Sequence, residues 1–281
     1  MEGMSLSLRP VLMGAFAAAL LAALAGGAWH FLRRPPVPLT EEVLPLPPES
    51  PRLDDSPEYL RCLDQIPDDP QGALAFAEAW QDRAGTSNGS RHCQALALLA
   101  LGDGERAGPR LEALAGQTGF NNTARAVLYG QAGQAWMAIG DASRAYAATT
   151  LGLALAPDSA DLLVDRALAS GSLGRYADSL ADATRATELD PDRPDAWVFR
   201  AAALRHLDLP QEALHAIDRA LTIESDNAEA LLERGILRQL NGDLEGARED
   251  WESVIQSAPD SAAADLAQQN LALSEAGPKR R

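Results

Sequence analysis

Residues 160–193 read ADLLVDRALASGSLGRYADSLADATRATELDPDR, and residues 194–227 read PDAWVFRAAALRHLDLPQEALHAIDRALTIESDN. Aligned at this offset of 34, the two stretches share a pattern more than a spelling, and the pattern extends both ways along the chain. Pro157, Pro191 and Pro259 keep the same phase, with Ser225 in the missing place. Gly140, Gly174 and Gly242 do likewise, with Asp208 in the fourth place. Small residues form two further columns, Ala145, Ser179, Ala213 and Ala247, and Gly133, Ala167, Ala201 and Gly235. Such a unit reads as two amphipathic helices, A and B, joined by a short turn. The small columns let A and B approach closely, a glycine supplies the positive φ at the end of A, and a proline stops B and is expected to open the next helix. One unit cannot bury its apolar faces alone, so units must stack.

These residues resemble the tetratricopeptide repeat family, whose period is also 34. The family's large residue at repeat position 4 is matched by Tyr129, Leu163, Trp197 and Leu231, and position 27 by Gly152, Ala186, Ala220 and Val254. The resemblance implies an all-α, right-handed superhelix of helix-turn-helix repeats. The regular repeats are 126–159, 160–193, 194–227 and 228–261, and 262–281 holds a capping helix and a basic tail. Residues 57–125 carry two degenerate repeats, the second marked by Leu101-Gly102-Asp103-Gly104-Glu105-Arg106-Ala107. A separate small helical domain over 54–120 is the alternative.

Position 7 departs from the family pattern. It is Arg in three repeats, Arg166, Arg200 and Arg234, and two of these have an Asp sixteen residues on, Asp182 and Asp250. That spacing predicts an ion pair between helix A and helix B. The third arginine meets Ala216 at the same offset and needs another partner.

The resemblance also implies a binding face, because helix A lines the concave side of such arrays. Carried over, that face holds Asp161, Val164, Leu168, Asp195, Val198, Arg205, Glu229, Leu232 and Ile236. Val198 and Leu232 are expected to be exposed apolar anchors on its floor, with carboxylates along one edge. The family's Lys-containing carboxylate clamp cannot be built here, since residues 53–278 contain no lysine.

Charge narrows the partner. The chain carries a formal net charge of −16, and residues 53–278 hold 17 basic and 36 acidic residues. This disfavours nucleic acid and predicts a protein or peptide partner, apolar with basic character. No GxxxxGK[ST], HExxH or CxxC motif occurs. Neither an enzyme nor a cofactor or metal site is expected, and the carboxylate pairs at helix starts read as caps.

Residues 1–9 form a short tail, and 10–32 hold the apolar run VLMGAFAAALLAALAGGAWHFL (11–32), bracketed by Arg9 and Arg33-Arg34. Its 22 residues are long enough for a transmembrane helix, with a cleaved signal peptide as the alternative. Residues 33–56 form a Pro-rich linker, either an extended spacer or a disordered tether. The arginines flanking the span do not decide its orientation.

The two cysteines, Cys62 and Cys93, are 31 residues apart, close to one period. That places them on neighbouring A helices and predicts a disulfide, against the alternative of two small core residues. A structural bridge implies an oxidising compartment. Together with an Ala/Leu/Arg-rich composition of GC-rich bacterial type, it points to the periplasmic side of a bacterial inner membrane. The functional expectation is a membrane-anchored scaffold or adaptor that binds a protein segment in its groove. An assembly factor for an envelope complex, such as a cytochrome c maturation-type subunit binding apocytochrome, is the alternative.

Overall fold

The computed structural model describes residues 53–117 and 119–276. Within them the chain forms thirteen α-helices and no strand. The first four are α1 (Pro57–Gln65), α2 (Pro70–Ala84), α3 (Asn88–Ala100) and α4 (Gly104–Ala115). Four longer A–B pairs follow: α5 (Asn122–Ala138) with α6 (Ala142–Leu155), α7 (Ala160–Ser172) with α8 (Tyr176–Leu189), α9 (Pro194–His206) with α10 (Pro210–Ile223), and α11 (Ala228–Leu240) with α12 (Leu244–Ser257). α13 (Ala262–Ala276) ends the described chain. Every helix packs on its successor, and α5, α7, α9, α11 and α13 also touch one another in series. This is a superhelical stack with the A helices in one layer. The apolar run at 10–32 and the linker at 33–56 fall outside the described residues, apart from the linker's last four. No helix among the described residues is long and apolar enough to cross a membrane.

The A-to-B turn repeats in atomic detail. Gly102, Gly140, Gly174 and Gly242 have φ between 72° and 84°, and the following residue's amide donates to a carbonyl five residues back, as in Asp141 N to Trp136 O at 2.9 Å. Asp208 takes the same left-handed conformation at φ 63°, and Leu209 N donates to Leu204 O at 3.0 Å. It is the only non-glycine residue with positive φ among those described. Most helices then open on a side-chain cap: Asp103, Asp141 and Asp243 each accept from the amide three residues on. The periodic prolines stop helix B but do not open the next helix. Pro191 lies in the connection, and α9 starts at Pro194.

The small columns work by contact. A Cβ at Gly235 would lie 2.3 Å from Trp251 Nε1, and one at Gly133 would lie 2.7 Å from Thr149 Cγ2. Gly108, outside the regular repeats, admits Trp136 in the same way, at 2.6 Å from its ring. Trp136 and Trp251 are fully buried, and truncating either would cost about 3–5 kcal/mol.

The expected ion pairs form. Arg166 Nε and Nη2 each donate to Asp182 at 2.7 Å, and Arg234 donates to Asp250 at 3.0 and 2.6 Å. Both are bidentate and bind helix A to helix B inside one repeat. Asp250 also takes Arg238 Nη1 at 2.9 Å.

Candidate functional site

On the A-helix side, two adjoining cavities of about 410 and 390 Å³ share Gln134, Asp165 and Arg193. α7 supplies Asp161 and Asp165 one turn apart, Arg193 comes from the loop before α9, and Asp195 from its first turn. Arg193 binds Asp161 in a short charge-assisted contact and grips Asp195 through Nε and Nη2 at 2.8 and 3.2 Å. Burial opposes the arginine's charge, but the hydrogen bonds and charges of Asp195 and Asp161 offset it and raise its pKa. Gln134 Nε2 donates to Asp165 at 3.3 Å. Burial pushes Asp165 up to about 6, only partly countered by that hydrogen bond, while Asp161 raises and Arg193 lowers it further. Three carboxylates thus surround one guanidinium, with Glu229 on the next repeat. Among the described residues no group of His, Cys, Asp and Glu is arranged to hold a metal ion.

Six of the expected groove residues line these two cavities: Asp161, Val164, Leu168, Asp195, Val198 and Glu229. Their exposure differs from expectation. Val164, Val198 and Leu232 are only 4%, 7% and 9% exposed. Val198 and Leu232 belong to the core, not to a row of free anchors, because successive A helices pack directly on one another and cover position 5. Leu232 and half-buried Ile236 pack on the Trp251 cluster, and Trp251 Nε1 donates to Leu232 O. The accessible apolar wall is instead Leu168 and Phe199, both half-buried.

Arg205 also differs from expectation. Its guanidinium is spent on Glu233 of the next A helix, Nε to Oε1 at 2.5 Å and Nη2 to Oε2 at 3.3 Å. Glu233 is buried, which raises its pKa against the hydrogen bond from Arg205, so the arginine neutralises an interior carboxylate. His206 is likewise occupied, stacked on Tyr176 with ring centroids 4.1 Å apart.

Asp165 and Arg193 were missed in the sequence. The family's concave positions skip both, yet Asp161 and Asp165 are four apart on one helix and therefore share a face. That spacing was the available signal.

Residues 85–89, GTSNG, spell the GxSxG of a serine nucleophile. The surroundings give Ser87 another role. It lies between two helices, where its Oγ accepts from Ser90 N at 3.0 Å and Ser90 Oγ accepts from Ser87 N at 3.0 Å, a capping box for α3.

The N-terminal helices are tied by different chemistry. A disulfide joins Cys62 on α1 to Cys93 on α3, with Cα atoms 6.1 Å apart. Beside it, Tyr59 Oη and His92 Nδ1 are 2.7 Å apart, and His92 Nε2 is 2.7 Å from Gln131 Oε1 on α5. With Gln131 Oε1 as acceptor, Nε2 carries the proton and Nδ1 accepts from the phenol. Burial holds His92 down at about 4, against the hydrogen bond to Gln131.

Comparison with solved structures decides the fold. PilW, described as a widely conserved type IV pilus biogenesis factor, superposes with a TM-score of 0.61 at 15% identity, covering 76% of this chain and 96% of its own. A tetratricopeptide repeat protein from Parabacteroides merdae gives 0.59 at 14% identity, over 75% and 83%. The fold is that of the tetratricopeptide-repeat proteins. The Cut9–Hcn1 structure of the APC/C gives 0.59 at 14% identity over 76% of this chain, which spans only 45% of that longer one. No protein-family model and no curated protein matches the sequence. Within the tetratricopeptide fold, the carboxylate-rich groove lies on the A helices, and its distinguishing feature is the Asp161–Asp165–Arg193–Asp195 centre.

Proposed function

We propose that this chain is a non-catalytic scaffold or adaptor whose A-helix groove binds a segment of a partner protein, apolar with basic character. The observation that carries the reading is the groove centre, where three aspartates face one arginine beside the apolar wall of Leu168 and Phe199. An incoming Lys or Arg would take over one of the carboxylates and place its stem on that wall. Residues 10–32 would hold the scaffold at a membrane, with 33–56 as spacer. The disulfide supports the periplasmic side of a bacterial inner membrane. Titrating the full chain in mild detergent with apolar peptides bearing two Lys, and with the same peptides bearing two Glu, tests the groove. The Lys peptides should bind at least tenfold tighter, and Asp161→Asn with Asp195→Asn should remove the preference. Equal binding of the two peptide sets would sink the proposal.

An envelope-assembly role, of which an apocytochrome-binding subunit is one form, is the second reading. The likeness to PilW, a pilus biogenesis factor, favours it. Photocrosslinking from position 168 in intact membranes would separate the two readings by identifying either an assembly substrate or a stable resident partner.

A further inference from the structure

The third regular repeat is unlike its neighbours at one point, on the seam between α9 and α10. In the second and fourth repeats the arginine at position 7 binds an aspartate of helix B in bidentate fashion. In the third repeat that aspartate is replaced by Ala216, and Arg200 Nε is buried with no hydrogen-bond partner among the described residues. A second arginine has lost its partner as well. Arg185 of the second repeat pairs with Glu188 at 3.1 Å and Asp158 at 3.0 Å. Its counterpart one period on, Arg219, has Thr222 in place of the glutamate and, although Asp192 keeps the place of Asp158, makes no ion pair among the described residues.

Both arginines converge on one aromatic ring. Arg200 and Arg219 sit 5.3 and 5.7 Å from the centre of Trp197, whose Nε1 is fixed by a 2.9 Å bond to Pro191 O. These residues, with His215 and Ala216, border a cavity of about 480 Å³ that shares no residue with the A-helix groove. Glu212 and Asp218 also line it.

We propose that this cavity binds a carboxylate, supplied in trans to the position that an aspartate fills in the sister repeats. Arg200 Nε and Nη2 would donate to its two oxygens, as Arg166 does to Asp182, while Arg219 closes the site over the indole face. The carboxylate comes from an acidic side chain of a bound segment or from a small free acid. The chain's net charge of −16, together with Glu212 and Asp218, restricts the ligand to one isolated carboxylate in an otherwise neutral or basic setting. The inference does not rest on the groove reading.

The test uses the full chain in mild detergent, carrying Asp161→Asn and Asp195→Asn so that the groove does not take up the lysines, and three probes: acetyl-Ala-Lys-Ala-Glu-Ala-Lys-Ala-amide, the same peptide with Gln for Glu, and acetate. The readouts are calorimetry and the ¹⁵N–¹H signal of the Arg200 side chain. The Glu peptide should bind at least tenfold tighter than the Gln peptide and shift that signal. Arg200→Gln should cost at least tenfold. Ala216→Asp supplies the internal carboxylate, so it should abolish binding while raising Tm, which shows that the fold is intact. Acetate competing at the same concentration as the peptide assigns the site to small acids, and peptide binding that acetate fails to displace assigns it to a segment. Equal binding of the Glu and Gln peptides, undisturbed binding in Ala216→Asp, or no binding of any probe at 10 mM would overturn it.

Discussion

The first four helices and the regular array solve the same packing problem by different means. From α5 to α12 the A and B helices lock through small residues under Trp251 and Thr149 and, in the second and fourth regular repeats, through Arg–Asp pairs that cross the hairpin. In α1–α4 no such cross-hairpin pair is present among the described residues. The nine-residue α1 is held by the Cys62–Cys93 disulfide and by the Tyr59–His92–Gln131 chain, which reaches into α5. The regular repeats draw their cohesion from every unit, whereas the irregular ones draw it from one covalent link and one buried imidazole. The two halves should therefore answer to different perturbations.

Removing the disulfide is the most severe of these. Cys62→Ser with Cys93→Ser opens a loop of about 30 residues and should cost α1–α3 about 3.5 kcal/mol in the chain-entropy model. Amide exchange should quicken through α1–α3 and stay unchanged in α7–α12. A uniform loss across the array would erase the distinction. The mirror experiment is Asp250→Ala, which strands Arg234 and takes one of its partners from Arg238, leaving that arginine Gly246 O and Asp243. It should cost about 2–3 kcal/mol, more than Asp182→Ala, which strands only Arg166. Thermal unfolding of the two variants checks the order.

Acid should separate the halves by sign. His92 is held at about 4 against an ordinary 6.5, so the unfolded chain binds the proton first. The stability it lends is present above pH 6.5 and falls by about 2 kcal/mol by pH 5. Asp165 is raised to about 6, so its penalty applies above that pH and is relieved as the pH falls toward 4. Asp165→Asn should accordingly stabilise the array by about 1–2 kcal/mol at pH 7.5 and have almost no effect at about pH 3.5. Exchange rates corrected for intrinsic pH dependence would show α1–α3 loosening in acid while α7–α9 tightens; movement in the same direction would refute the assignment. The smallest effect is expected at the one non-glycine turn. Asp208→Gly removes a left-handed non-glycine conformation and should add about 0.5–1 kcal/mol, readable as a rise in Tm of the array.

Much of the array was legible because a 34-residue period leaves a mark at every turn. Glycines that need positive φ, small residues that admit a tryptophan, and arginines sixteen residues from an aspartate all sit at fixed offsets. The degenerate turn at Gly102 and the pairing of Cys62 with Cys93 could be read from the same register. The groove was legible only in outline. Asp161, Asp195 and Glu229, read through position 2, do line the cavities, whereas Val198, Leu232 and Arg205 were assigned to a free surface that the next A helix covers.

Local chemistry and periodicity set the helices, their turns and their hairpin pairs, because those depend on neighbours within about one repeat. Tertiary stacking decided which face of each A helix stays open, since that depends on how closely successive repeats approach. Stacking brings Arg193 between two aspartates that are 34 residues apart in the sequence. It also buries Asp165, which pushes its carboxyl up, and it buries the Nε of Arg200, whose missing acceptor at Ala216 the sequence already showed. Burial belongs to the assembled array, and no single repeat read alone contains it.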